Sequence, residues 1–291
     1  MVLHLRKTGH EVVTLGRRSG DVVANLAQGP PLLPGGPFDA VYHLAGKAHV
    51  VPKTSAEAQA FFDVNALGTE NLLRGLHQHR QPPPPVVLAS SISVYGVEAG
   101  EGLTEETPLR AVEPYGRSKI QSEETVRAWG EQHGIPTAIL RLPLLIGPSA
   151  PGNLGRMVSS IRSGRYVGIG AGEARRSMVL ASDVAAVLSD AARVGGTYNL
   201  SDGEHPSFTE MEVAIASRLG VSAPRHLPLG LARAAAAVGG GLDRLPGISF
   251  PLTPRTLTKM TSTLTLNDAR AREALSWAPR SVLAHADLWV A

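Results

Sequence analysis

Tyr115 and Lys119 stand four residues apart in Tyr115-Gly116-Arg117-Ser118-Lys119. On a helix that spacing puts a phenol and an ammonium on one face. A cation beside a phenol favours phenolate and draws its pKa down from ~10, giving a proton acceptor that works near neutral pH. With five Tyr and five Lys in the chain, such a pair arises by chance with a probability of roughly 0.09. Alone it is weak. Its surroundings add weight: Pro114 precedes Tyr115, and upstream a strand pattern ends in Ser90-Ser91-Ile92-Ser93-Val94-Tyr95-Gly96. A hydroxyl at the carboxyl end of a parallel strand lies where open α/β sheets bind ligands.

The elements that must position these groups alternate between strand and helix. Glu11–Leu15 is a β-branched run after a glycine, and Asp39–Ala45 is a second strand pattern ending at Gly46. Residues 56–79 carry apolar side chains at helical spacing, and the run Pro82–Pro85 stops them. Val86–Ala89 predicts a third strand, Ser118–Gln132 a helix ending near Gly134, and Thr137–Ile146 a fourth strand. Further on, a strand is expected at Thr197–Leu200, a helix at Ser207–Leu219 and a Gly/Pro-rich stretch through 239–254. This order predicts a doubly wound parallel sheet of the α/β class with a smaller C-terminal lobe. The expected division gives 1–150 and 176–202 to the sheet domain, and 151–175 and 203–291 to the lobe.

Composition narrows the function classes. The chain has 291 residues, of which 43% are hydrophobic and 18% charged, which argues for a folded core. Its 28 basic and 25 acidic residues leave a net charge of +3. The arginines are scattered, with no basic run interleaved with aromatics, so nucleic acid is not expected as a partner. The absence of cysteine removes disulfides, thiolate metal sites and a Cys nucleophile. The most apolar stretch, Leu231–Val238, is short and interrupted by Gly239-Gly240-Gly241, so membrane insertion is not expected. The first residues reach Arg6-Lys7 without an export signal's apolar core, which predicts a cytoplasmic protein.

Taken in order, several segments resemble the extended short-chain dehydrogenase/reductase family, in its NAD-dependent epimerase/dehydratase group that acts on nucleotide sugars. They are His43-Leu44-Ala45-Gly46, Asn65 with Gly68-Thr69, Ser90-Ser91 with Val94-Tyr95-Gly96, and Tyr115 with Lys119. Arg141 with Pro143 and Gly147-Pro148, Arg176 ahead of Asp183, and Ala271-Arg272-Glu273 with Leu275, Trp277 and Pro279 complete the series. The resemblance covers nearly the whole chain, and the order is more specific than any one motif.

The resemblance implies that Tyr115 is the catalytic acid/base, that Lys119 holds a nicotinamide ribose, and that Ser91 orients the substrate. It places Leu44, Ala45 and Gly46 against the cofactor's ribose and diphosphate, and Pro143 and Leu144 against the nicotinamide. Arg176 would meet the substrate diphosphate, Asn153 and Ser93 the substrate, and Arg17 and Asn25 the adenosine end of NADP or NAD. The implied partner is a nucleotide sugar, and the family's homodimer is carried over as an expectation. No metal is implied.

Departures from the family are informative. Met1–Thr8 reads as the end of a helix closed at Gly9, so the family's first strand and Gly-rich turn are expected upstream of Met1. Without that central strand, two strands would be left unpaired. Ile92 and Ser93 stand where the dehydratase branch carries an Asp-Glu pair, which argues against water elimination. Gly16-Arg17-Arg18 replaces the ribose-binding acid; the arginines are either a solvated pair or a 2′-phosphate contact. Asn25 stands where an Asp commonly touches adenine.

Asn65 reads equally as a polar group inside a helix or as a support for the strand bearing Ser91. His43 reads as a hydrogen-bonded core residue, Gly168-Ile169-Gly170-Ala171-Gly172 as a turn between short strands, and His77-Gln78-His79 as a solvated helix end. The leading expectation is an enzyme that oxidises and epimerises C4 of a nucleotide-linked hexose. The alternatives are an NADPH-dependent 4-keto sugar reductase and a non-catalytic relative or fragment that binds no cofactor.

Overall fold

The computed structural model describes residues 1–48, 50–79, 83–148, 152–242 and 252–290. Four strands form one parallel sheet in the order Gly196–Asn199, Thr137–Leu142, Val86–Ser91, Val41–His43. Val86–Ser91 is an inner strand, and Val86, Val87 and Leu88 are fully buried. Such a strand reads as a continuous apolar run because helices cover both faces. On one face Val87 and Leu140 pack with Val184, Val187 and Leu188 of the helix Ala181–Val194. On the other, Val86 and Leu88 pack with Leu72, Leu73 and Leu76 of the helix Gly68–His79 and with Val126 and Trp129. The sheet is doubly wound, as its sequence pattern predicts.

Several boundaries differ from the sequence expectation, each for a local reason. Of Glu11–Leu15 only Leu15 enters a ladder, in the strand Leu15–Gly16, which pairs in parallel with Val22–Val23, a strand the sequence pattern did not announce. Before it, Thr14 is taken by Asp21, whose carboxylate accepts the Thr14 amide at 2.8 Å and its hydroxyl at 2.7 Å. Among the described residues no ladder joins this pair of strands to Val41–His43. Thr137–Ile146 is two strands, because Pro143 has no N–H to give a ladder. Thr137–Leu142 stays in the main sheet, whereas Leu144–Ile146 turns away to pair with Met178–Leu180.

The helix bearing Tyr115 begins at Pro114, earlier than its apolar spacing suggests. Proline is favoured at this first position, where its missing N–H costs nothing. Gly134, in the left-handed conformation, closes it as expected. The long helical segment is interrupted by a π-helical stretch, Phe62–Leu67. The helix Leu229–Leu242 runs through Gly239-Gly240-Gly241 instead of breaking there; residues 243–251 of the Gly/Pro-rich stretch lie outside the described residues. Val2–Lys7 is a six-residue helix followed by Gly9 at φ +87°.

Beyond the sheet, Val167–Ile169 pairs in parallel with Arg225–Leu227. Gly170 and Gly172 both have positive φ in the turn that follows. A third apolar cluster gathers Ile146, Leu154, Met157, Met178, Met211 and Trp289. No described helix is long and apolar enough to cross a membrane.

Candidate active site

The strand Val86–Ser91 ends at Ser91, which is 9% exposed and caps a short 3-10 turn by accepting the Ser93 amide at 3.2 Å. Ser93 Oγ lies 3.3 Å from Ser91 Oγ. Tyr115, in the first turn of the helix Pro114–His133, has the Ser91 hydroxyl as a polar neighbour and packs its ring 6.0 Å from that of Phe61. The close approach depends on Gly116: a β-carbon there would fall 2.6 Å from the Ser93 carbonyl oxygen and 2.6 Å from Ala111 Cβ. The glycine lets the helix start seat directly on the turn after Ser91.

Lys119 follows one turn later and is 5% exposed. Burial lowers its pKa to about 8, against the opposing charge of Glu123. Burial also raises the Tyr115 phenol above its ordinary value, while the Ser91 hydroxyl pulls it down. The sequence expectation of a net lowering by Lys119 is therefore corrected: in this state desolvation outweighs stabilisation of the phenolate.

Beside Lys119 lies the loop after Val41–His43. Leu44, Ala45 and Gly46 are exposed there. A β-carbon on Gly46 would come 3.6 Å from Lys119 Nζ and 3.2 Å from Asn65 Oδ1. This open backbone next to a buried ammonium suits a ribose hydroxyl and a diphosphate, and so fits a dinucleotide. Pro143 is half-buried and Leu144 exposed at the end of the neighbouring strand, where a flat ring would cover them.

Asn65 sits inside the π-helical stretch and is 1% exposed. Its Oδ1 accepts the Lys47 amide at 2.7 Å, and its Nδ2 donates to the Lys47 carbonyl at 3.2 Å and to Ser118 Oγ at 2.9 Å. It thus ties the loop after His43 to the helix of Tyr115. It does not hold the strand of Ser91, as the resemblance suggested. His43 Nε2 meets Thr69 Oγ1 at 2.9 Å, and burial, then Lys119, lowers the imidazole to about 3. It is a neutral core group.

The remaining expected residues lie apart from this centre or engaged elsewhere. Arg17 is exposed in the turn after Leu15–Gly16. Asn25 Oδ1 accepts the Ala27 amide at 3.2 Å. Asn153 is exposed and takes a hydrogen bond from Arg156. Arg176 donates to the carbonyls of Ser262 and Lys259 and lies 5.8 Å over the Phe208 ring. His77 is exposed and meets His133 at 3.3 Å. Sequence inspection missed Gly116 and Ser118, both inside the Tyr-to-Lys interval. Their signal was small size at positions facing a neighbouring turn.

The model of the NAD dependent epimerase/dehydratase family matches residues 1–201. The chain belongs to that family. Within it, the chain is 30% identical over 210 residues to a dTDP-glucose 4,6-dehydratase of Neisseria meningitidis, covering 67% of this chain and 59% of the relative. It is 29% identical over 169 residues to a UDP-glucose 4-epimerase of Lactobacillus helveticus, covering 53% of this chain and 50% of that relative. The matched portions thus span little more than half of the length of these relatives. The fold of MoeE5, solved in complex with UDP-glucose and NAD, superposes with a TM-score of 0.72 over 99% of this chain and 92% of that one, at 21% identity.

Proposed function

We propose that the protein oxidises C4 of a nucleotide-linked hexose reversibly and inverts it, using NAD or NADP. The observation that carries this is the placing of Tyr115 next to the Ser91 hydroxyl at a strand end, with Lys119 buried one turn away beside the open backbone of Gly46. Leu44, Ala45, Gly46, Pro143 and Leu144 would hold the ribose and nicotinamide, with Arg17 and Asn25 at the adenosine end. A bound nicotinamide supplies hydride acceptance and return.

The chain's own groups handle the proton. Tyr115 accepts it from the 4-hydroxyl, and Ser91 donates a hydrogen bond to the same oxygen. The Lys119 ammonium favours the phenolate that accepts it. The same phenol returns the proton once the other face of C4 has been reduced. Ser93 and Asn153 offer polar groups to the sugar. Arg176 offers the diphosphate a permanent cation, for which its guanidinium must leave part of its present carbonyl set. Ile92 and Ser93 put no acid after Ser91, so water elimination is not part of the proposal, although one relative is a dehydratase.

Residues 1–150 with 176–202 would carry the cofactor, and the remainder the substrate, in a cytoplasmic homodimer. The second reading is NADPH-dependent reduction of a 4-keto sugar. It is favoured by Gly16-Arg17-Arg18, which offers a 2′-phosphate guanidinium groups and no repelling acid. A panel of UDP- and dTDP-hexoses, with product stereochemistry and net NAD(P)H followed together, tests both. Inversion without net cofactor consumption supports the epimerase. Stoichiometric NADPH loss with a keto sugar supports the reductase, and inertness toward every nucleotide sugar overturns both.

A further inference from the structure

Two imidazoles that meet at the ends of neighbouring helices take no part in the chemistry above. His77 lies in the last turn of Gly68–His79, and His133 is the last residue of Pro114–His133. His77 is exposed and His133 half-buried. His133 Nδ1 stands 2.9 Å from the Trp129 carbonyl oxygen. A carbonyl can only accept, so Nδ1 carries the proton and Nε2 of the neutral ring presents its lone pair. That nitrogen lies 3.3 Å from His77 Nδ1. The Trp129 indole holds both rings: its centroid is 3.9 Å from that of His133, and it meets His77 edge-on at 6.1 Å.

We propose that His77 Nδ1 and His133 Nε2 form a site for a divalent transition metal ion, with zinc the best match. Two imidazole nitrogens bound at ~2.0–2.1 Å to one tetrahedral zinc stand about 3.3–3.4 Å apart, and the two nitrogens here are already at that separation. A ligating histidine ordinarily donates its other N–H to a carbonyl or carboxylate, which fixes its tautomer and ring. The Trp129 carbonyl does this for His133. Both rings also sit at helix C-termini, where the partial negative charge of the last carbonyls favours a cation.

Without the ion, one proton between the rings joins them as a hydrogen bond. The ion takes its place, and that proton goes to solvent. His77, being exposed, has room to turn its ring toward the shared ion. Among the described residues no third histidine or carboxylate completes a cluster, so water fills the remaining positions. Imidazole donors select zinc, copper or nickel over magnesium and calcium, which take oxygen ligands. The bound ion ties the end of Gly68–His79 to the end of the helix that carries Tyr115 and Lys119.

The test is calorimetry of zinc chloride with the full chain, in mildly alkaline buffer where imidazole is neutral, alongside urea unfolding with and without zinc. The wild type should bind an equivalent of zinc at this site. Zinc should also raise its urea midpoint, because only the folded chain brings the two rings together. Magnesium chloride should do neither. His77→Gln leaves His133 a hydrogen-bond donor but offers zinc a poor ligand, and at an exposed position it should not disturb folding. His77→Gln and His133→Gln should each weaken zinc binding by about tenfold or more and remove the rise in midpoint. The same affinity and the same rise in His77→Gln as in the wild type would overturn the proposal, placing the ion on other side chains. So would a wild type that binds no zinc, leaving the pair a hydrogen bond only.

Discussion

Asn65 Oδ1 accepts the backbone amide of Lys47 at 2.7 Å from inside a π-helical turn. A π turn shifts the side-chain register of a helix, and π-bulges are frequent at functional sites. Through Lys47 and Ser118, Asn65 sets the distance between the exposed backbone at Gly46 and the buried ammonium of Lys119.

Asn65→Ala leaves the Lys47 amide and Ser118 without their buried partner. The expected cost is about 1–3 kcal/mol of folding free energy, together with weaker NAD(P) binding. Urea denaturation measures the first and calorimetry the second. An unchanged urea midpoint would contradict the bridging role.

Gly116→Ala reverses an ordinary sign. In an exposed helix interior the change gains up to ~1 kcal/mol. Here the new β-carbon would fall 2.6 Å from the Ser93 carbonyl oxygen. The helix start must then retreat from Ser91, so both stability and turnover should fall. A thermal shift upward with activity intact would contradict the close seating.

His43 makes stability depend on acid. Burial lowers its folded pKa to about 3 from 6.5, so the unfolded chain binds more protons between those values. Its contribution is complete above pH 6.5 and is lost as pH falls toward 3. Between pH 6.5 and 4.5 the wild type should lose about 2–3 kcal/mol relative to His43→Gln. Parallel stability curves for the two proteins would show that His43 does not titrate as a buried neutral group.

The sequence carried the parts of this site that depend on residue type and short-range spacing. The placement of Ser91 at a strand end, and of Tyr115 and Lys119 four apart on one helix, was legible because both are local patterns. The parallel sheet was legible because runs such as Val86–Ala89 are apolar on both faces. What escaped was set by contacts between distant segments. Val22–Val23 is too short to announce itself and exists as a strand through its pairing with Leu15–Gly16. The split at Pro143 was hidden by an unbroken apolar run whose two halves take different partners. The reach of Asn65 to Lys47 follows from a π turn that no apolar spacing reveals. The raised pKa of Tyr115 depends on burial, which a four-residue spacing does not report.

Tyr115→Phe tests the central claim most directly, with C4 stereochemistry of a UDP-hexose followed by NMR in the presence of NAD(P). The variant removes one ionisable oxygen and keeps the ring that packs on Phe61. Wild-type protein should invert C4, and Tyr115→Phe should lower that rate by about 10²–10⁴-fold while leaving the unfolding midpoint and cofactor affinity nearly unchanged. Inversion at the wild-type rate in the Phe variant would contradict Tyr115 as the group that moves the proton.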